Sequence, residues 1–500
     1  MHKKYSYSDL APLDRSDPYD VCIVGSGPAG ITLAKILVEK GIQVLMLESG
    51  YGLFRWLTDK RFKQVLADFE VSGNANYPVE NTRGMLLGGT SNFWTGRCER
   101  FHPFDFEQHP YIPNGNPWPI TYAELEPYYE MVEKTLRVRC GERSSDAPPR
   151  RTPFPLPPKT DISYLKNLFN RLGVVVDDSP TATPRKIPRF FWFQNEVLPA
   201  FLKAPHFTLV TGATVARLLN DTERNITGAA VNTFDGLQKT ARAKKFVISC
   251  GGIGTPRLLL LSRSEQYPEG IGNHHDRVGR GFNEHPAVNF YGQLPHQGDS
   301  HLLTNKIGRS HQFYNTFWKE NLGTILPVFR QSWVLPHHNM PMTVANIPRN
   351  TVAILKRFRK ATVYIGVVIE MKISDANRVG LSKTKGDLFG DPLAHLTLNY
   401  SDEDRQLLDR SRELVRKWYG DLNAEDVREA QVTFSRHHMG SCRMGDNPLT
   451  SVVDRNLRVH DTNNLYLSGS EVFVTGGAMQ PVLTITALAY RLGEHLVQQK

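Results

Sequence analysis

Two short stretches carry residues whose types and spacing could do chemistry. In "TFSRHHMGSCRMGDN" (residues 433–447), His437 and His438 are adjacent and Gly440 follows. Neighbouring histidines permit a metal pair, one base beside a bystander, or two ordinary polar residues. The second stretch, "GSGPAG", places Gly25, Gly27 and Gly30 as G-x-G-x-x-G directly after the apolar run at residues 21–24. Glycines so spaced allow a tight turn and let backbone amides approach a pyrophosphate at a helix N-terminus. Glu48 closes the next apolar run, about twenty residues on, where an acid meets a ribose hydroxyl. The pattern predicts a bound adenine dinucleotide, and by itself permits FAD or NAD.

The elements that must position these residues are legible nearby. Residues 19–50 read strand, glycine turn, helix, strand, with Gly41 ending the helix. "FTLVTGATVARLL" (residues 207–219) and "KKFVISCGG" (residues 244–252) read as later strands of the same sheet. Thr121 with Glu124 three residues on is a capping-box pattern before a helix. The proline-dense residues 146–160 predict an extended strap, "NNLYLSG" a strand, and "PVLTITALAYRLGEHLV" a closing helix whose face Val482, Ile485, Leu488, Ala489 and Leu492 is core. If the histidine stretch is extended, successive side chains point to opposite faces. His437 and His438 then cannot both face one ligand, which argues against a metal pair, and no metal site is expected.

Composition bounds the rest. The 500 residues are 40% hydrophobic, enough for two or so domains with a substantial core. A formal net charge of +10 fits an evenly basic surface and is all that supports a nucleic-acid role, which we set aside. The basic "ILKRFRK" (residues 354–360) reads as a solvated face. Five scattered cysteines without a C-x-x-C argue against zinc and disulfides and for a reducing compartment. There is no apolar run of bilayer length, and "MHKKYSYSDLAPL" does not read as a secretory signal, so a cytoplasmic location is expected.

Together with "RGMLLGGTSNFWTGRC" (residues 83–98) and "NNLYLSGSEVFVTGGAMQPVLTITALAYRL" (residues 463–492), these stretches resemble, in order, the glucose–methanol–choline (GMC) family of flavin oxidoreductases. Within it they are most similar to the bacterial sugar-oxidising branch around pyranose 2-oxidase and the glucoside 3-dehydrogenases. The resemblance implies an α/β fold: a Rossmann-type FAD-binding domain from residues 17–285 and 437–500, a lid or strap at about 100–200, and a mixed α+β substrate domain at 286–436. It places Gly88, Gly89, Thr90 and Asn92 along the isoalloxazine, with Asn92 offering backbone and amide hydrogen bonds. Val215 would lie by the adenine, and Gly469 and Pro481 by the flavin, with the last helix directing its positive end at the pyrimidine. Pyranose 2-oxidases bond their flavin covalently through a histidine where this chain has Phe93, so the FAD is expected to be non-covalent.

Aligned on Gly440, His437 is the residue the family uses to take a hydroxyl proton while hydride leaves for flavin N5. The family's second group, His or Asn before "P-x-L-T", is here Gln480, in a turn one residue longer. Gln480 either donates to the substrate oxygen or only shapes the pocket. The expected reaction is oxidation of CH–OH to carbonyl on a sugar, glycoside or polyol, with oxygen or a redox partner as electron acceptor. The alternative is a non-redox, lyase-like enzyme with a structural flavin. Some relatives without their own signal are exported by a small subunit.

Overall fold

An apolar strand buried on both faces must sit inside a parallel sheet with its ends open to ligands. That is the setting of β1 (Tyr19–Val24) and β2 (Val44–Glu48), joined by α1 (Pro28–Glu39). The computed structural model describes residues 10–52, 69–78, 82–107, 109–112, 116–185, 192–233, 236–295, 306–332 and 360–499. The further strands are β3 (Phe69–Ser72), β4 (Asp177–Asp178), β5 (Phe207–Thr211), β6 (Ala213–Asn220), β7 (Ile226–Thr233), β8 (Gln238–Ala241) and β9 (Ala243–Ile248). They continue with β10 (Pro286–Pro295), β11 (Lys306–Arg309), β12 (Ile325–Ser332), β13 (Lys360–Ile369), β14 (Arg378–Gly386), β15 (Pro392–Thr397), β16 (Glu425–Phe434) and β17 (Leu465–Leu467). The helices after α1 are α2 (Tyr122–Leu136), α3 (Ser163–Asn170), α4 (Phe193–Glu196), α5 (Gly251–Leu261), α6 (Asp402–Asp421) and α7 (Val482–Gln498).

The first sheet is parallel, in the order β17-β9-β1-β2-β5. It is a doubly wound α/β sheet whose first, central strand feeds the glycine turn. The stretch at 207–219 is not one strand of it. Gly212 is left-handed (φ +70°) and breaks the run: β5 pairs with β2, while β6 turns away into an antiparallel sheet, β6-β7-β8. The burial of β6 alternates where β2 is buried throughout, the mark of a half-exposed strand. Helix α2 starts at the expected capping box, with Thr121 Oγ1 accepting from the Glu124 amide and Glu124 Oε2 from that of Thr121.

The largest sheet has the order β16-β10-β13-β12-β11-β4. Val288, Phe290, Val363, Ile365, Val367 and Phe329 pack from one face onto Leu407, Leu408, Val415 and Trp418 of α6 and Phe169 of α3. Strand alternation sends Asn289, Tyr364 and Arg330 to the other face. A fourth sheet, β14-β15-β3, completes this half. Strands β3 and β4 therefore cross the division expected at 285/286, because sheet edges offer unpaired backbone to any segment within reach. Residues 354–359 of the basic segment lie outside the described residues, and Lys360 opens β13. No helix among the described residues is long and apolar enough to cross a membrane.

Gly212 and Gly41 separate conformation from space. Both are left-handed, but a Cβ at Gly212 would lie 2.1 Å from the Tyr51 hydroxyl, whereas one at Gly41 meets nothing within 4 Å. In chemical denaturation Gly41→Ala should cost about 1 kcal/mol, the left-handed penalty alone. Gly212→Ala should cost about 2–3 kcal/mol, because the methyl must also displace Tyr51. Equal losses would mean that the contact plays no part.

Candidate active site

The C-terminal ends of the parallel strands open into a cleft of about 810 Å³, within the range of small-molecule and cofactor sites. Its walls include Gly25, Gly27, Glu48, Gly89, Thr90, Phe93, Val215, Gly469, Gln480, Pro481, His437 and His438. Three helix N-termini, those of α1, α5 and α7, contribute wall residues, so the backbone presents positive potential and free amides. The glycines divide their work. A Cβ on Gly27 would meet nothing within 4 Å, so this residue faces open space, while one on Gly30 would sit 2.1 Å from the Gly25 carbonyl oxygen. Gly30 thus closes the helix onto the strand and stays outside the cleft wall. Glu48 Oε2 accepts from the Ser26 amide (3.0 Å) and hydroxyl (2.6 Å), and Oε1 from the Gly50 amide (2.8 Å). Burial raises its pKa. The buried hydroxyls of Thr214, Ser249 and Ser468, all in the cleft wall, have no hydrogen-bond partner among the described residues. A dinucleotide fits these orphaned groups and the space before Gly27.

Asn92 and Gly88 are not part of the wall. Asn92 Nδ2 donates to the carbonyls of Leu87 (3.1 Å) and Gly89 (2.7 Å), and its Oδ1 accepts from Gln194. Its backbone carbonyl accepts from Trp192 Nε1 at 3.1 Å. In place of the expected exposed amide, Asn92 braces its own loop, since a short side chain in a tight turn meets its own backbone first. Gly88 adopts φ +90°, and its amide donates to Ser26 Oγ at 3.0 Å, which ties this loop to the first glycine turn. Phe93 points the other way and is 42% exposed.

The two histidines diverge. His437 Nδ1 lies 2.8 Å from His285 Nδ1, and its backbone amide donates to Glu284 Oε1. His438 Nε2 lies 2.6 Å from the Tyr77 hydroxyl. Their separation does not come from a plain extended run, because Arg436, just before them, is left-handed (φ +66°). Burial, then His285, His438 and Arg309, hold the His437 pKa well below 6.5. His438 is pushed down to about 3 by burial and by Arg83 and Arg436, and His285 to about 4 by burial. Burial lifts Glu284 to about 8.

Gln480, 9% exposed, lies in a turn pinned from both sides: the Gly477 amide donates to Glu370 Oε1 (3.2 Å) and the Ala478 amide to the Tyr314 hydroxyl (3.0 Å). Arg309 Nη1 donates to Gln480 Oε1 at 2.6 Å. Arginine can only donate, so the atom it meets must be the amide oxygen, and the Gln480 NH₂ remains as a donor. Behind it Glu99 is gripped by Arg143 (2.8 Å), Arg309 (3.5 Å) and His311 (3.6 Å). Burial alone would raise the Glu99 pKa, but Arg143, a hydrogen bond with His311, and Arg309 pull it far below the carboxylate range. Val482 and Ile485, expected in the core, line the cleft; Leu488, Ala489 and Leu492 are buried. Asp454 accepts from the Arg458 amide (3.0 Å) and shapes a turn.

Sequence reasoning missed His285, Arg309, Arg83 and Arg330. His285 stands in "NEHP" just before β10, and the pattern gives no sign that it meets a residue 152 positions later. The arginines looked like ordinary surface charge, yet Arg309 is only 3% exposed and Arg83 and Arg330 line the cleft. Arg83, beside Gly84 in the second glycine loop, can face a diphosphate.

Comparison with known proteins agrees with this geometry. Residues 193–287 and 374–489 match models described as GMC oxidoreductase, and residues 18–52 match an FAD binding domain. The chain is 28% identical to 6'''-hydroxyparomomycin C oxidase of Streptomyces lividus, covering 96% of this chain and 92% of that protein. It is 25% identical to the fructose dehydrogenase large subunit of Gluconobacter japonicus, covering 96% and 97%. The crystal structure of pyridoxine 4-oxidase from Mesorbium loti superposes with a TM-score of 0.67 at 19% identity, covering 95% of this chain and 99% of that one. With the cleft, its two glycine loops and the histidine stretch in the family's order, the chain belongs to the glucose–methanol–choline family of FAD-dependent oxidoreductases.

Proposed function

We propose that the protein oxidises a CH–OH group of a sugar, glycoside or polyol to a carbonyl, with His437 as base and Gln480 as hydrogen-bond donor. The observation that carries this is the pairing of the two at the cleft: an imidazole tethered through Nδ1 and an amide whose oxygen is already taken by Arg309. Relatives named as a 6'''-hydroxyparomomycin C oxidase and a fructose dehydrogenase support the sugar class.

Gly25, Gly27, Arg83 and the α1 N-terminus would hold the FAD pyrophosphate, Glu48 a ribose, and Val215 the adenine side. Gly89, Thr90, Phe93, Gly469 and Pro481 would lie along the flavin, held without a covalent bond because Phe93 offers no nucleophile. When bound, FAD supplies the two-electron acceptor for the hydride of the CH–OH carbon; oxygen or a redox partner then takes the electrons. Five free thiols fit a reducing, cytoplasmic setting.

The chain's own groups handle the proton. Two ring nitrogens 2.8 Å apart share one hydrogen. If it sits on His437 Nδ1, His437 Nε2 carries the lone pair that a base needs. His285 then bears its own proton on Nε2, and interactions of its ring with the Gly476 and Gly477 backbone raise its proton affinity. His285 thus sets the tautomer. As the substrate hydroxyl loses its proton to His437 Nε2, the Gln480 NH₂ donates to the oxygen on which charge develops.

Anaerobic reduction of the flavin by a panel of sugars, glycosides and alcohols tests the reading, and a flavin that none of them bleaches would refute it. His437→Ala should slow this reduction by about 10²–10⁴-fold, the usual worth of a positioned base, with FAD retained. Because His437 is held unprotonated at neutral pH, the wild-type rate should be flat above pH 6.5 and fall only below it, as the lone pair is lost.

His285→Leu removes a neighbour that depresses the His437 pKa, so the acid limb should move to higher pH and the plateau should drop about tenfold or more. An unshifted limb would show that His285 merely packs. Acid precipitation should release all flavin into the supernatant. Gly27→Ala fills only open space, so stability should hold while FAD affinity falls about tenfold, roughly 1.4 kcal/mol.

A further inference from the structure

Arg330 lines the cleft, and its Nε is buried without a hydrogen-bond partner among the described residues. No ion pair joins it to a carboxylate among the described residues; its guanidinium lies 5.0 Å from the Tyr364 ring centre, a cation–π contact that steadies the side chain. In β-sheet register Arg330 faces Tyr364 on β13 and Ile307 on β11, which makes it the diagonal neighbour of Arg309. Diagonal neighbours stand roughly 7–8 Å apart, about the span of one hexose. Arg309 in turn holds Gln480, the donor at the reacting oxygen.

The local charge does not balance. Arg97, Arg143, Arg309 and Arg330 gather around Glu99, which Arg143 and Arg309 already occupy, and the second carboxylate nearby, Asp177, faces Arg143 and accepts from Ser144. Arg97 spends Nη1 on the Thr181 hydroxyl (2.7 Å). Burial, then Arg309 and Arg330, push the Arg97 pKa down to about 9, which shows how closely the guanidiniums crowd. A desolvated guanidinium without a counter-ion is costly, and a planar fork of donors matches a carboxylate or phosphate.

We propose that the substrate carries an oxyanion, bound at Arg330 in the positive field of Arg97 and Arg309, about one sugar ring from the carbon oxidised. This rests on the alcohol-oxidising reading above and narrows it from neutral sugars to acidic ones. The basic wall attracts such a substrate from solution and fixes which hydroxyl reaches His437, because the anion can dock only one way round.

The test is anaerobic stopped-flow reduction of the FAD-loaded protein by matched sets that differ only in charge: a hexose or its methyl glycoside, the corresponding uronate, and the 6-phosphate. The uronate and phosphate arms separate the two oxyanions. One acidic arm should exceed its neutral parent at least tenfold in second-order reduction rate, and that excess alone should shrink as salt rises. Arg330→Met should cut the acidic-to-neutral ratio ten- to a hundredfold. Neutral parents reducing the flavin as well as both acidic arms, with a ratio insensitive to salt and to Arg330→Met, would overturn the proposal and leave alcohol oxidation standing. Reduction by no compound in any arm would sink both. The salt series needs only the wild-type protein, so it decides the matter even if the variant does not fold.

Discussion

The structure turns on one backbone pairing. Where the chain leaves the parallel-sheet half and where it returns, Asn283 and Met439 exchange both amide–carbonyl hydrogen bonds, at 3.0 and 3.1 Å. Next to this bridge β10 and β16 continue as antiparallel neighbours, Pro286 opposite Phe434. Outgoing and returning strands are thus held side by side at the mouth of the cleft. The excursion between them is more than 150 residues long, yet its ends cannot drift. His285 on the way out must meet His437 on the way back. Without this clamp the histidine stretch would be a loop with no fixed relation to the glycine turns.

Burial then sets the chemistry of the groups so gathered. Taking histidines out of water penalises the imidazolium, so His285, His437 and His438 are all held neutral. The same burial lifts Glu284 to about 8, so a carboxyl beside the His437 backbone need not carry charge at neutral pH. For arginine the penalty is met differently, because guanidinium hardly deprotonates. Arg143 and Arg309 use Glu99, while Arg330 leans on Tyr364, and its guanidinium charge makes this wall of the cleft positive.

Two loops meet over the same space for a related reason. Ser26, within the first glycine turn, donates a hydrogen bond from its hydroxyl to Glu48 and accepts one from the Gly88 amide, so the turn, the acid and the second loop form one hydrogen-bonded unit. Asn92 completes that unit from within. A side chain expected to face the cofactor instead holds the shape of the loop, and its neighbours Gly89, Thr90 and Phe93 are left to line the cleft.

The sequence by itself determined what is local. The βαβ unit, the glycine spacing, the Glu48 position, the Thr121 cap and the closing helix all depend on residues within a few turns of one another, and periodicity and turn chemistry report such relations directly. Order along the chain was enough for the family. Only the tertiary structure decided the rest. The break at Gly212 depends on a left-handed residue beneath Tyr51, the turn of Asn92 on Gln194 and Trp192, the joining of β3 and β4 to distant sheets on open edges, the placing of His285 on strand pairing across the crossover, and that of Arg330 on its register between β11 and β13. A contact between residues 150 or more positions apart leaves no periodic trace in one sequence, because its energy comes from burial and register that exist only once both strands are in place.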